Sequence, residues 1–154
     1  MMLSKNLSLV EVMKSATAIK HGIANEPSSK HLTNLKAVAT NIFQPCRDYF
    51  GKPLAVTSGY RSPKLNELIG GSKRSQHSKG EALDLDAQVY GGFTNAELFH
   101  YIKDNLDFDQ LIWEFGNDEE PDWIHCSYTT ENRKEVLKAY KHNGKTRYDK
   151  LQAH

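Results

Sequence analysis

The order of local patterns along the chain is the feature that most limits its fold. Apolar residues recur at helical intervals after Ser8, and Glu11 completes the spacing of a capping box. This pattern predicts a helix from about Leu9 to Lys20. Because helical patterns come first and strand patterns mostly later, the sequence predicts an α+β fold, with a small antiparallel sheet packed with helices.

A second apolar stripe of helical period begins near Ser28 or Ser29, either of which suits the N-cap position. Pro45 lies inside this stripe and predicts a kink or a break, because proline lacks a backbone donor. Two shorter helices are expected over residues 63–69 and 94–106.

Residues 82–86 alternate apolar and acidic side chains, as a strand with one buried face would. The pair Asn143–Gly144 separates two later runs, and this pair is a strong signal of a hairpin turn. The complete set of expected strands is 54–58, 82–86, 110–115, 123–128, 136–141 and 145–150. These runs would supply the sheet of the α+β fold.

Length and charge exclude several classes of protein. A chain of 154 residues fits a single domain, since two halves would be too small for comfortable cores. Lys and Arg total 20 against 19 Asp and Glu, and this balance argues against a nucleic-acid partner. No apolar run approaches the roughly 20 residues that span a bilayer. We therefore expect a monomer that does not insert into membranes.

The cysteines and the N-terminal residues indicate the cellular compartment in which the protein is made. Cys46 and Cys126 show no spacing that demands a bridge, so we expect two reduced, buried thiols. A single disulfide and a catalytic cysteine are the alternatives. Residues 1–20 lack the pattern of a secretory signal, which predicts synthesis in the cytoplasm.

Polar residues with catalytic potential concentrate in the segments 58–63, 75–84 and 122–125. His77 precedes the expected strand that carries Asp84, and Gly80 lets the chain fold back between them. His125 lies on a second strand that can be adjacent. These three side chains would form a site of two histidines and one carboxylate, a donor set typical of catalytic zinc. The alternative for each histidine is a surface or hydrogen-bonded role.

Asp122 and Arg61 are candidates for acid–base and electrostatic work beside such a metal. In a strand, positions three apart face opposite sides, so Asp122 can join His125 only if the chain bends near Trp123. The alternative for Asp122 is a solvated carboxylate in an acidic turn. Arg61 can stabilise an oxyanion or bind a substrate carboxylate, or it can form a structural salt bridge.

The strings SGYRSPKLN, GGSKRSQHSKGEALDLD and DWIH together resemble the zinc D-alanyl-D-alanine carboxypeptidase family. That family shares its fold with the signalling domain of hedgehog proteins. Its pattern is S-G-Y-R-S, then S-x-H-x-x-G-x-A-x-D, then an acidic residue three positions before a final histidine. The parts occur in this order, and the similarity covers about residues 23–128.

The resemblance implies a zinc peptidase that cleaves peptidoglycan stem peptides at bonds involving D-amino acids, with one Zn²⁺ held by His77, Asp84 and His125. The expected domain spans 1–154: N-terminal helices over about 8–50, a metal-site core over about 54–128 and a C-terminal hairpin over about 134–150. With no signal sequence, the enzyme would reach the cell wall by holin-type release or within a phage particle.

By the same resemblance, Asp122 is the general base and Arg61 stabilises the transition state. Ser75, Arg61 and Tyr60 are expected to bind substrate. Glu114 is expected to support a ligand histidine from the second shell, or else to be a simple surface carboxylate.

One position departs from the pattern. Some family members have a histidine two positions before the acidic base, where this chain has Glu120. Two alternatives to an active enzyme follow from the resemblance. The first is a zinc-binding module without catalysis, and the second is a phage particle component of the same fold.

Overall fold

The structure is a computed structural model that describes residues 1–151. Its helices are α1 (Leu9–Met13), α2 (Ala16–Lys20), α3 (Ser29–Val38), α4 (Gln44–Phe50), α5 (Pro63–Leu68) and α6 (Asn95–Asn105). A π-helical turn, Ala39–Phe43, joins α3 to α4, and a 3₁₀ turn covers Gln76–Lys79. Within the described residues, no helix combines the length and the apolar character needed to cross a membrane.

The strands are β1 (Met2–Ser4), β2 (Leu7–Ser8), β3 (Ala55–Ser58), β4 (Ala82–Asp86), β5 (Gln110–Glu114), β6 (Trp123–Ser127), β7 (Glu135–His142) and β8 (Lys145–Lys150). The first two form a small hairpin that the sequence patterns did not predict. The other six form one sheet in the order β3-β4-β6-β5-β7-β8. The predicted hairpin at the C-terminus is present, and Asn143 and Gly144 both have positive φ in its turn.

The larger sheet is mixed, which corrects the expectation of a small antiparallel sheet alone. Strands β6 and β7 lie on opposite sides of β5. The chain therefore crosses back through residues 128–134, and β7 runs parallel to β5 while every other neighbouring pair is antiparallel. The α+β class and the helix-packed sheet are otherwise as predicted.

The first predicted helix is two short helices instead of one. The capping box is present, with Ser8 accepting from the Glu11 backbone and Glu11 accepting from the Ser8 backbone. The prediction of an unbroken helix was wrong, because Lys14 is extended and the Ser15 hydroxyl caps α2 by accepting from Ala18 N–H. A serine side chain that bonds to nearby backbone favours such a new helix start over continuation.

The second predicted helix, made of α3, the π turn and α4, continues through Pro45 without a break. Ser28 caps α3, as one of the two expected serines. The turn just before Pro45 is widened, and Gln44 N–H donates to the carbonyl of Ala39, five residues back. A π turn of this kind accommodates a residue that cannot donate its own hydrogen bond. The helix then ends at Gly51, which has a φ of 63°.

The two faces of the main sheet have different neighbours. Alternate residues such as Leu83, Leu85, Leu111 and Ile124 are fully buried in the main apolar cluster together with residues of α3 and α6. Cys46 and Cys126 lie in the same cluster as free thiols, and burial raises the pKa of both. They are therefore neutral at physiological pH, as expected for reduced structural cysteines.

The opposite face of the sheet is where the polar motifs meet. Strand register places Asp84, His125, Ile112 and Leu137 side by side in one row across four strands. The next row contains Trp123, Glu114, Ala139 and Tyr148. Because residues two apart on a strand face the same side, both rows lie on this face.

Gly80 links the metal-site loop to strand β4, and its replacement tests how tightly that loop is packed. At Gly80, which has a φ of 73°, an added Cβ would lie 2.5 Å from the carbonyl oxygen of His31. Gly51 has a similar φ of 63° but has nothing within 4 Å of an added Cβ. Gly51→Ala should lower the free energy of unfolding by about 1–2 kcal/mol through backbone strain alone. Gly80→Ala should cost at least about 1 kcal/mol more, because the α3 backbone must also move.

Urea unfolding of both variants without added metal measures the two losses under the same conditions. Equal losses at the two positions would contradict the close packing of Gly80 against α3.

Candidate metal centre and active-site cleft

Three potential ligands meet at one point of the open sheet face. Asp84 on β4 stands directly opposite His125 on β6. The Oδ1 atom of Asp84 lies 3.2 Å from Nε2 of His77 and 3.3 Å from Nδ1 of His125. All the candidate ligand atoms lie within 4.8 Å of one another. The structure thus brings together the two histidines and the carboxylate proposed from the sequence.

The His77 ring is held in a defined orientation. Its Nδ1 lies 2.8 Å from the carbonyl oxygen of Gly59, so Nδ1 carries the hydrogen and donates it. This leaves Nε2 free of hydrogen and directed at Asp84. The Ser75 hydroxyl accepts from His77 N–H at 3.2 Å and caps the 3₁₀ turn. Such outer contacts select the tautomer that binds a metal.

The chemistry of the cluster fits a divalent metal of the zinc type. Asp84 Oδ1 is buried and has no hydrogen-bond partner within residues 1–151. Burial opposes ionisation of Asp84, but the histidines outweigh it and hold the pKa of that carboxyl well below its usual range. Two imidazole nitrogens and an ionised carboxylate oxygen form the donor set of catalytic zinc, with a fourth position for water.

A cleft of about 590 Å³ lies over the cluster. Gln110, Ile112 and Glu114 line it from alternate positions of β5. One wall is the segment from Gly70 to His77, and the other wall includes Leu137 and Tyr148 from the C-terminal hairpin. The remaining lining residues are Arg61, Asp84, Trp123, His125 and Arg133.

Glu114 is the carboxylate that faces the cleft beside the ligands. Its side chain lies on the same sheet face as His125, one row away, and the residue is only 9% exposed. The pKa of Glu114 is raised to about 7, mainly by burial, with His125 and Arg61 opposing the shift and Asp84 adding to it. A carboxyl group in this range can both accept and release a proton near neutral pH.

Asp122 is not among the candidate ligands and does not line this cleft. Its N–H donates to the carbonyl of Glu114 at 2.9 Å, although Glu114 pairs with Trp123, so the register is irregular where the chain enters β6. Asp122 is exposed and lines a separate depression with Phe115 and Lys138.

Arg61 reaches the cleft, whereas Tyr60 does not. Arg61 lines both this cleft and a neighbouring hollow, and its Nε is buried without a partner in the described chain. Burial lowers the pKa of Arg61, and Asp84 and Glu114 counteract this by favouring its charge. Tyr60 is 4% exposed and its hydroxyl lies 3.2 Å from Nδ1 of His31. Tyr60 packs in the main apolar cluster and lines the neighbouring hollow instead of this cleft.

Glu120, at the position where some family members have a histidine, has a structural role at the start of a helix. Its Oε1 accepts from the N–H of Ala96 at 2.8 Å, in the first turn of α6. A carboxylate there satisfies a free backbone donor and interacts well with the helix dipole. Glu120 thus belongs to the helix terminus and does not line the cleft over the metal cluster.

Sequence reasoning missed several cleft residues. Gln110 and Ile112 carried a usable signal, because strand alternation places them on the same face as Glu114. Arg133 and Tyr148 carried none, since they come from a loop and a hairpin whose position depends on the crossover to β7. Arg74 also lines the cleft, from the loop before the 3₁₀ turn.

A sequence profile described as Peptidase M15 matches residues 5–127. That range covers most of the chain and includes all three candidate ligands, and the chain belongs to the Peptidase M15 family. Members of this family are zinc-dependent metallopeptidases. Comparison with curated proteins gives no match.

The ligand assignment predicts metal content directly. Protein purified without chelator and then dialysed should contain about one zinc per chain, measured by elemental mass spectrometry. His77→Ala should lose most of this zinc, because two protein ligands hold the ion much less tightly. His142→Ala is the matched control, since His142 is exposed in the hairpin β7–β8 and should leave zinc content unchanged. Equal zinc in both variants would contradict the assigned site.

Proposed function

We propose that the chain is a zinc-dependent peptidase that hydrolyses bonds involving D-amino acids in the stem peptides of peptidoglycan. The observation that carries this proposal is the buried carboxylate of Glu114 beside a His–Asp–His cluster in an open cleft. Membership of the Peptidase M15 family supports the hydrolytic class. The resemblance of the three sequence motifs to D-alanyl-D-alanine carboxypeptidases supports the substrate class.

In this proposal His77, Asp84 and His125 hold the ion. When bound, zinc polarises the scissile carbonyl and lowers the pKa of a water molecule beside it. The cleft aligns the peptide over this point, with the β5 residues beneath it. The Gly59 carbonyl keeps the His77 ring fixed throughout, so the ligand needs no reorientation when substrate enters.

Glu114 takes the role of general base in place of Asp122. Its carboxylate accepts the proton of the attacking water and later delivers a proton to the leaving amine. Burial disfavours the charged form of Glu114, so the group is a better base than an exposed glutamate and can hold the proton until it passes to the leaving amine. Asp122 is exposed and lines a separate depression, not the cleft over the cluster.

Arg61 supplies positive charge at the same end of the cleft as Asp84 and Glu114. Its guanidinium stabilises the negative charge that develops on the carbonyl oxygen, or it binds a substrate carboxylate next to the scissile bond. Partial burial strengthens either interaction, because less water screens the charge.

The proposal covers both removal of a terminal D-alanine and cleavage within the stem peptide. The site of action is the cell wall, reached by holin-type release or as part of a phage particle, and the enzyme works as a monomer. A zinc-binding module without catalysis is the rival function, and the buried Glu114 beside the ligands is the feature that such a module would not need.

Hydrolysis of purified peptidoglycan tests the function. Zinc-loaded protein should lower the turbidity of a wall suspension or release D-alanine or stem-peptide fragments identified by mass spectrometry. Chelator should abolish the release, and added zinc should restore it. Bound zinc without release from any wall preparation or soluble stem peptide would favour the non-catalytic module.

The choice of base is tested by two matched amide substitutions. Glu114→Gln should keep zinc and lower the turnover rate by about two to four orders of magnitude, because the proton acceptor is lost. Asp122→Asn should keep the rate within about twofold, since that carboxylate lies outside the cleft. A reversed result, with Asp122→Asn inactive and Glu114→Gln active, would return the role of base to Asp122.

A further inference from the structure

The cleft contains a fixed arginine that the metal chemistry does not use. Arg133, in the loop between β6 and β7, donates from its backbone N–H and its Nε to Oδ1 of Asp109, at 3.0 Å each. Its Nη2 donates to Oδ2 of Asp109 at 2.8 Å. Asp109 is 3% exposed, whereas the Arg133 side chain is 56% exposed. A buried carboxylate thus fixes a guanidinium that stands open to the cleft.

One edge of the Arg133 guanidinium is free to donate hydrogen bonds to a ligand. A guanidinium has five N–H donors in a planar fork, and it can bind one carboxylate side-on and another end-on. Asp109 occupies the side-on edge, formed by Nε and Nη2. Within residues 1–151, no other acceptor bonds to the group, so the end-on edge formed by Nη1 and Nη2 remains available.

Asp109 holds Arg133 firmly at neutral pH. The Arg133 hydrogen bonds are the main reason that the pKa of Asp109 is lowered to about 2. Asp109 also accepts from Nε2 of Gln76 at 2.8 Å, which ties the pair to the segment that carries His77. A side chain fixed in this way loses little entropy when it binds a ligand.

The distance of Arg133 from the reacting centre is given by strand geometry. Asp109, which holds Arg133, lies three residues before Ile112, and Ile112 pairs with His125. Three residues of strand span about 10 Å, which is roughly the length of three residues of an extended peptide. Arg74 lines the same cleft from the loop just before Gln76, and it adds a second positive charge.

Two carboxylates lie near this end, but neither of them lines the cleft. Asp109 is paired with Arg133, and the Glu135 carboxylate, whose charge also acts on Arg133, accepts from Nε2 of Gln110 at 2.8 Å. Glu114 lies at the opposite end of the β5 row, beyond Ile112. The charged groups that line this end of the cleft are therefore Arg133 and Arg74.

We propose that Arg133, assisted by Arg74, forms a subsite that binds a free carboxylate of the peptide about three residues from the scissile bond. The inference deepens the proposed function, on which it rests for the peptide nature of the ligand. Arg133 is then a determinant of specificity for anionic stem peptides. The carboxylate is either the C-terminal group of the peptide or an acidic group within the stem.

A panel of synthetic stem peptides distinguishes the two sources. The parent peptide keeps all its carboxylates, and each derivative has one of them converted to a carboxamide. Zinc-loaded Glu114→Gln protein binds without turning the peptides over, so calorimetry gives a dissociation constant for each peptide. The same panel is run on Glu114→Gln combined with Arg133→Gln, and on Glu114→Gln combined with Arg147→Gln. Arg147 is exposed, and it faces away from the cleft because it neighbours Tyr148 on β8.

One amidation should weaken binding about tenfold to hundredfold in the Glu114→Gln protein, the range for a lost charge-assisted pair. The loss should be the same with Arg147→Gln and should disappear with Arg133→Gln. The position of that amidation identifies the carboxylate. A loss that persists with Arg133→Gln, or a panel with no sensitive position or no binding, would overturn the subsite.

Two controls separate folding and function from recognition. Combining Arg133→Gln with Asp109→Asn removes the unpaired buried charge, and this pair should show the same insensitivity to amidation if the first variant is unstable. Cleavage of the parent peptide by the wild-type protein is measured in parallel. If the wild-type protein does not cleave the parent peptide, but binding still depends on one carboxylate through Arg133, the proposed peptidase function is rejected and the subsite is retained.

Discussion

The antiparallel pairing of β4 with β6 is the constraint on which the rest of the site depends. It places Asp84 opposite His125, and it leaves the apolar neighbours of both residues on the helix-packed face. A shift of one residue in this register would bury the ligands among the core side chains and expose leucines in their place. The packing of the core and the assembly of the metal centre are therefore specified by the same alternation of side chains.

A second set of contacts holds the remaining ligand against this sheet. His77 lies outside the strands, in a short turn, and three bonds fix the turn: Ser75 caps it, the Gly59 carbonyl accepts from the ring, and Arg61 N–H donates to the His77 carbonyl at 3.2 Å. Two of these partners come from the strand end at which the SGYRS motif begins. The motif thus supplies one catalytic candidate and much of the support for a ligand.

Much of the fold followed from local patterns, because capping residues, the Asn–Gly turn and strand alternation act over a few neighbours. The His77, Asp84 and His125 cluster was also accessible from sequence, through donor type and spacing. The position of Asp122 was harder to predict, because it precedes β6 at a point where its hydrogen bond to Glu114 is out of register with the ladder. Arg133 and Tyr148 escaped notice for another reason. Their positions depend on the parallel pairing of β7 with β5, a long-range contact without a local signal.

The hairpin β7–β8 forms one wall of the cleft, yet it lies beyond the residues that match the family profile. In the sheet it pairs with β5, which separates it from the ligand-bearing strands β4 and β6, and it contributes no candidate ligand. Changes to its inward side chains can therefore alter the width and polarity of the cleft while the register of β4 and β6 stays intact. The architecture separates the part of the chain that carries the candidate metal ligands from a part that can diverge to suit different substrates.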